Sequence, residues 1–198
     1  MMTRFHLFTL LAMVSFSTIV AGCASFPSHQ LPRYEYGQFV SASPRPSVNY
    51  DVRFLSIGQP NQAAQDVLTK RIDSTFSRAQ VFSSHAPGTG PADYHLSFEM
   101  RNDGNVAAAT VLGFISGMTL TVVPAYAKDK YTLLVDVKKG EQILKHYEYR
   151  ENLNTWIQLF LVVLTPFKSP AKEANRLFDN MVLNLLADMQ KDEIILRQ

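Results

Sequence analysis

Asp93-Tyr94-His95-Leu96-Ser97-Phe98-Glu99-Met100-Arg101 alternates along its length. Tyr94, Leu96, Phe98 and Met100 fall on one side, and His95, Ser97, Glu99 and Arg101 on the other. A period of two is what a strand with one wet and one dry face requires. Such a strand needs neighbours, and the flanking sequence supplies them. Asp51–Ile57 is a short strand candidate. Asn61–Gln80 places Ala64, Val67, Leu68, Ile72, Phe76 and Ala79 at the spacing of one helical face. Lys130–Val137 and Gln142–Glu151 read as two further strands, joined as a hairpin through Lys138, Lys139, Gly140 and Glu141. Ser169-Pro170 then opens a second helix, with a capping residue followed by proline at the first helical position. Ala174, Leu177, Phe178, Met181, Leu185 and Met189 mark its apolar stripe as far as Gln190. The order β-α-β-β-β-α predicts an α+β fold. About four mostly antiparallel strands would carry both amphipathic helices on one face.

The totals bound what such a fold can do. A chain of 198 residues is long enough for one domain, placed here at residues 50–198. A formal net charge of +2 argues against a nucleic-acid partner, which calls for a strongly basic face. The single cysteine excludes an internal disulfide and a cysteine-rich metal site.

The position of that cysteine is informative. Arg4 and the amino terminus are positive, Phe5–Val20 is apolar with neither acid nor strong base, and small Ala21 and Gly22 precede Cys23. This is the pattern of an export signal covering residues 1–22. Val20-Ala21-Gly22-Cys23 resembles the lipobox of bacterial lipoproteins. The resemblance implies cleavage between Gly22 and Cys23, diacylglycerol on the Cys23 thiol and an acyl chain on its new amino group. No other cofactor is expected. Ala24 and Ser25 follow where an inner-membrane lipoprotein commonly has aspartate, so the resemblance further implies an outer-membrane anchor with the domain facing the periplasm. Residues 23–49 contain Pro27, Pro32, Pro44 and Pro46 and read as an extended tether. Tyr34, Tyr36 and Phe39 leave open whether it is mobile or partly docked. The small α+β layout is similar, in topology only, to envelope lipoproteins that serve transport and secretion machines.

Two stretches fit a small soluble domain poorly. Val106–Ala127 is 22 residues without charge, and Trp156–Phe167 is 12. The first has the length of a membrane span, but Pro124 and its Ser and Thr content suit one badly. Core, exposed patch and span all remain open for it. Because both stretches flank the same hairpin, they are expected to emerge at one edge of the sheet. There Phe114, Trp156, Phe160 and Leu161 would form a contact surface for an envelope protein, a second copy or the membrane.

No catalytic constellation is legible. There is no His-Glu-x-x-His, phosphate loop or Gly-x-Ser-x-Gly elbow. His95, His146 and Glu148 lie on wet strand positions, where a metal site is conceivable but not expected. The reading is a non-catalytic envelope lipoprotein acting by contact as an accessory or assembly subunit. The alternatives are a lipid or small-molecule binder, and a hydrolase whose site forms only in three dimensions.

Overall fold

The structure, a computed structural model, describes residues 22–104, 125–158, 161 and 164–195. Its strands are β1 (Gly22–Pro27), β2 (Ser47–Ser56), β3 (Gln59–Pro60), β4 (Ser84–Pro87), β5 (Tyr94–Asn102), β6 (Ala125–Lys139) and β7 (Gln142–Gln158). The helices are α1 (Gln62–Ala79), the single turn α2 (Thr165–Lys168) and α3 (Pro170–Lys191). The class is α+β, as expected.

The sheet differs from the expectation of about four mostly antiparallel strands. Among the described residues it has 7 strands in the order β1-β7-β6-β5-β2-β3, with β4 also on β2. Its pairing is mixed: β5 runs antiparallel to β6 but parallel to β2. The physical reason is α1. Parallel neighbours need a long crossover, and the helix between β2 and β5 supplies one.

The chain divides into two compact units. One comprises Met1–Phe26, Asn105–Lys128 and Leu153–Glu173, and the other Pro27–Gly104, Asp129–Asn152 and Ala174–Gln198. The second, larger unit holds the core that the alternating sequence promised. Val48, Tyr50 and Phe54 of β2, all four apolar residues of β5, and Leu133, Val135 and Val137 of β6 are buried. Phe76 of α1 meets Tyr50 edge to face with ring centroids 5.7 Å apart and lies tilted against Phe98 at 6.3 Å. Phe178 of α3 meets Phe54 and Tyr131 edge to face. Both helices therefore cover the same sheet face, and Arg71 of α1 pairs with Asp179 of α3 beside it. Asn61 caps α1 by accepting the Ala64 N–H at 3.0 Å. Val67, expected on the buried face of α1, is exposed. A stripe through Leu68, Ile72 and Phe76 leaves it one residue off the seam.

Residues 23–49 are docked rather than loose. They supply β1, the start of β2 and the connection between them. Most of Val106–Ala127 lies outside the described residues, and its last three residues open β6. Trp156, Ile157 and Gln158 extend β7. Among the described residues, no helix is long and apolar enough to cross a membrane.

Candidate functional site

Gly22 and Cys23 begin β1, while Val20 and Ala21 lie outside the described residues. The chain after Cys23 enters the unit at once. Ala24 and Ser25 are fully buried, Ser25 Oγ lies 2.7 Å from Thr155 Oγ1, and Asn154 Nδ2 donates to the Phe26 carbonyl. Cys23 itself is half-buried, and the loss of solvent pushes its thiol pKa up.

Of the four expected contact residues, Trp156 and Leu161 are located. Phe114 and Phe160 lie outside the described residues. Trp156 is 42% exposed. Its ring packs 4.9 Å from that of Tyr126, whose hydroxyl donates to Asn154 Oδ1 at 2.6 Å. Leu161 is half-buried. The same unit exposes three large apolar side chains that the sequence reading did not single out. Phe26 is 37% exposed, Leu164 41% and Phe167 69%. Lys168 Nζ sits 5.9 Å from the centre of the Phe26 ring. Phe26 was hidden in what reads as a tether. Phe167 was hidden at the end of a stretch whose length, not its facing, drew notice.

The wet sheet face of the larger unit carries the titratable residues. His95 Nε2 and Ser97 Oγ both reach Asp51 Oδ1, at 2.6 and 2.9 Å. His146 Nδ1 lies 2.5 Å from Asp136 Oδ1, and Glu148 pairs with Arg150. His95, His146 and Glu148 thus each take a different partner. Among the described residues, no group of three or more His, Cys, Asp or Glu side chains is placed to hold a metal. The geometry is also wrong for a hydrolytic relay, which needs imidazole between carboxylate and hydroxyl. Here the Asp51 carboxylate stands between the other two. A second trio fails in another way. Ser77 Oγ at 3.1 Å and Asp73 Oδ1 at 3.3 Å both address Nε2 of His85, so one nitrogen would have to serve both roles.

The polar residues that hold most are ones the sequence reading passed over. Glu151, 4% exposed, accepts from Ser28 Oγ at 2.5 Å, Gln30 N–H at 2.9 Å and Leu31 N–H at 3.4 Å. Asn180 and Asn184 of α3 each donate to the Pro32 carbonyl at 3.0 Å. Gln190 accepts from the Val40 N–H and donates to the Val40 carbonyl. Arg78 lies 3.7 Å above the Tyr36 ring, and Ser41 donates to the Gln80 carbonyl. Glu151 looks in sequence like the end of an alternating strand, and nothing local marks it as an acceptor for a distant backbone.

Neither a family model nor a curated protein matches the sequence. Among solved structures, a PelC variant dodecamer from Paraburkholderia phytofirmans matches at 10% identity over 89% of this chain and 99% of that one. Its TM-score of 0.40 is too low for the likeness to carry an argument.

Proposed function

We propose that the chain is a non-catalytic lipoprotein of the bacterial envelope, anchored in the outer membrane through lipid on Cys23 and facing the periplasm. It works by contact, as an accessory or assembly subunit. The observation that supports this is the surface of the unit to which Cys23 belongs, which leaves Phe26, Trp156, Leu164 and Phe167 open to solvent. Full burial of a large apolar side chain is worth about 1.5–3 kcal/mol, so even partial cover of four of them would support a specific contact. The lipid supplies the address: two or three acyl chains, at about 0.8 kcal/mol per buried methylene, hold a protein stably where one holds it only marginally. The wet face of the larger unit, with its carboxylates and imidazoles paired off, suits solvation rather than turnover.

Labelling cells with radioactive palmitate tests the anchor. The wild type is expected to take up label and Cys23→Ser to take up none, because serine has no thiolate to alkylate. Equal labelling of the two would remove the anchor from the proposal, and recovery of the wild type in inner-membrane fractions would remove the outer-membrane placement. Crosslinking in intact cells then tests the contact role. A protein adduct lost in Trp156→Asp, with the fold intact, is the expected result.

A further inference from the structure

The unit that contains Cys23 differs in charge from the rest of the chain. From residue 23 onward it carries Lys128, Lys168 and Lys172, and its one acidic residue is Glu173. Every other Asp and Glu belongs to the larger unit. Glu173 is 2% exposed and lies 3.5 Å from Lys168, so the unit turns no carboxylate to solvent. Lys128 and Lys172 are exposed. The cations stand beside the exposed apolar side chains. Lys168 Nζ sits 5.9 Å from the centre of the Phe26 ring, and Lys172 Nζ donates to the Pro166 carbonyl at 2.6 Å. Leu164 and Phe167 stand three apart around one turn, where side chains share a side. Large apolar groups beside lysines, without an exposed acid, make a surface suited to a lipid headgroup layer.

We propose that this unit seats directly on an anionic phospholipid bilayer. Phe26, Leu164 and Phe167 enter the headgroup region, and Lys168 and Lys172 meet phosphate. The inference rests on the lipoprotein reading of Cys23 and names what covers the part of the contact surface nearest the anchor. The anchor leaves no slack, because Cys23 begins β1 and the next two residues, Ala24 and Ser25, are fully buried. An extended strand advances about 3.3 Å per residue, which puts Phe26 about 10 Å from Cys23. Acyl chains on Cys23 would therefore bring headgroups to the Phe26 ring and to Lys168 beside it. Each ammonium has N–H donors left over for phosphate oxygens. Seating also fixes where an envelope partner is met, at the membrane surface.

The test uses the full lipidated chain in vesicles of phosphatidylethanolamine and phosphatidylglycerol. The chain's single tryptophan makes the reading direct. Trp156→Phe/Phe167→Trp moves that fluorophore to the most exposed of the unit's large apolar positions among the described residues. Trp156→Phe/Leu164→Trp places it at a second exposed position, so the outcome does not hang on one variant folding, and circular dichroism checks both. Phospholipid brominated in its acyl chains is expected to quench both tryptophans. Lys172→Gln in either background should lower the ratio of seated to lifted chains about fivefold, and replacing phosphatidylglycerol by phosphatidylcholine should lower it at least as much. Unquenched emission from folded, vesicle-bound chains would overturn the proposal and leave the surface to a protein. So would quenching that is indifferent both to phosphatidylglycerol and to Lys172. Failure of the lipoprotein reading has a separate signature: the wild type takes up no radioactive fatty acid in cells.

Discussion

Strand β7 contributes residues to both compact units, and its two parts follow different rules. From Tyr147 to Leu153 every second residue is buried: Tyr147, Tyr149, Glu151 and Leu153. From Asn154 to Gln158 none is, although Trp156 and Ile157 are large and apolar. Tyr149 and Tyr147 of the first part donate to Asp188 of α3 and to Asp192 just beyond it, so its alternation is matched by a cover. In the smaller unit, the described helical residues are α2 and the opening of α3. From Tyr147 to Gln158, apolar side chains are therefore core along one stretch of the strand and surface along the next. The lesson is that hydrophobicity alone locates neither, and the presence of a facing helix decides.

The comparison breaks most readily in the larger unit. Phe98, buried between Tyr50 and Phe76, should cost about 3–5 kcal/mol on replacement by Ala, measured by urea denaturation. Leu177→Ala and Phe178→Ala should each cost about 2–5 kcal/mol. A loss below about half a kcal/mol at both α3 positions would mean that α3 does not roof the sheet.

Glu151 stands next. It is a buried carboxylate with donors on both oxygens, and Glu151→Ala strands the N–H groups of Gln30 and Leu31 together with the Ser28 hydroxyl proton. Lost charge-assisted bonds of this kind cost about 1–3 kcal/mol. Some of the stranded groups can turn to water once this segment lifts, which keeps the expected loss below that of Phe98→Ala. Limited proteolysis should cut Glu151→Ala within residues 28–45 before anything else. Cleavage beginning in β5 instead would show that Glu151 supports the core rather than residues 28–45.

These two residues also mark what could be read in advance. Phe98 was legible because a half-buried strand writes its facing into every second residue, and the two long helices were legible from their stripes. The parallel pairing of β2 and β5 was implied by a helix standing between two strands, but the hairpin of β6 and β7 drew the reading toward antiparallel pairs. The fixing of residues 28–41 was not legible for a physical reason. Glu151, Asn180, Asn184 and Gln190 hold its backbone from more than a hundred positions away, Arg78 covers the Tyr36 ring and the Gln80 carbonyl accepts from Ser41, and none of these leaves a pattern in the segment itself. In the candidate contact unit, composition pointed to Trp156. The exposure of Phe26 and Phe167 depends on facing, which proline-interrupted sequence does not encode.

A smaller effect is expected at Asp129, at the start of the larger unit's share of β6. Burial raises its pKa, and a hydrogen bond from Asn102 lowers it by less. A carboxyl whose pKa is raised on folding binds its proton more readily in the folded state. Its contribution is therefore fully present below the unfolded pKa and is lost as pH rises through the folded pKa. At neutral pH the charge works against folding. Asp129→Asn removes that charge and offers a donor near Asn102 Oδ1, which has no partner. It should stabilise the protein modestly at pH 7, and the gain should shrink as pH falls through the raised pKa and disappear below the ordinary carboxylate range. A gain that grows on acidification would reverse the assignment.

The smallest effect on stability, and the most telling one for function, is expected in the smaller unit. Phe167 is 69% exposed, so the folded chain gives up little when it is changed. Phe167→Asp and Trp156→Ala should stay within about half a kcal/mol of the wild type, as exposed positions usually do. A contact that covers these side chains would respond differently. Aspartate at position 167 would have to lose its water without gaining a partner, a penalty of several kcal/mol that lowers association by orders of magnitude. Stability and association therefore need to be measured on the same samples, by denaturation and by crosslinking or sedimentation. Folded variants that lose their adducts keep the two regions distinct, one built for core and one for contact. If Phe167→Asp instead unfolds the chain, the exposed aromatics belong to the fold, and the proposed contact surface must be abandoned.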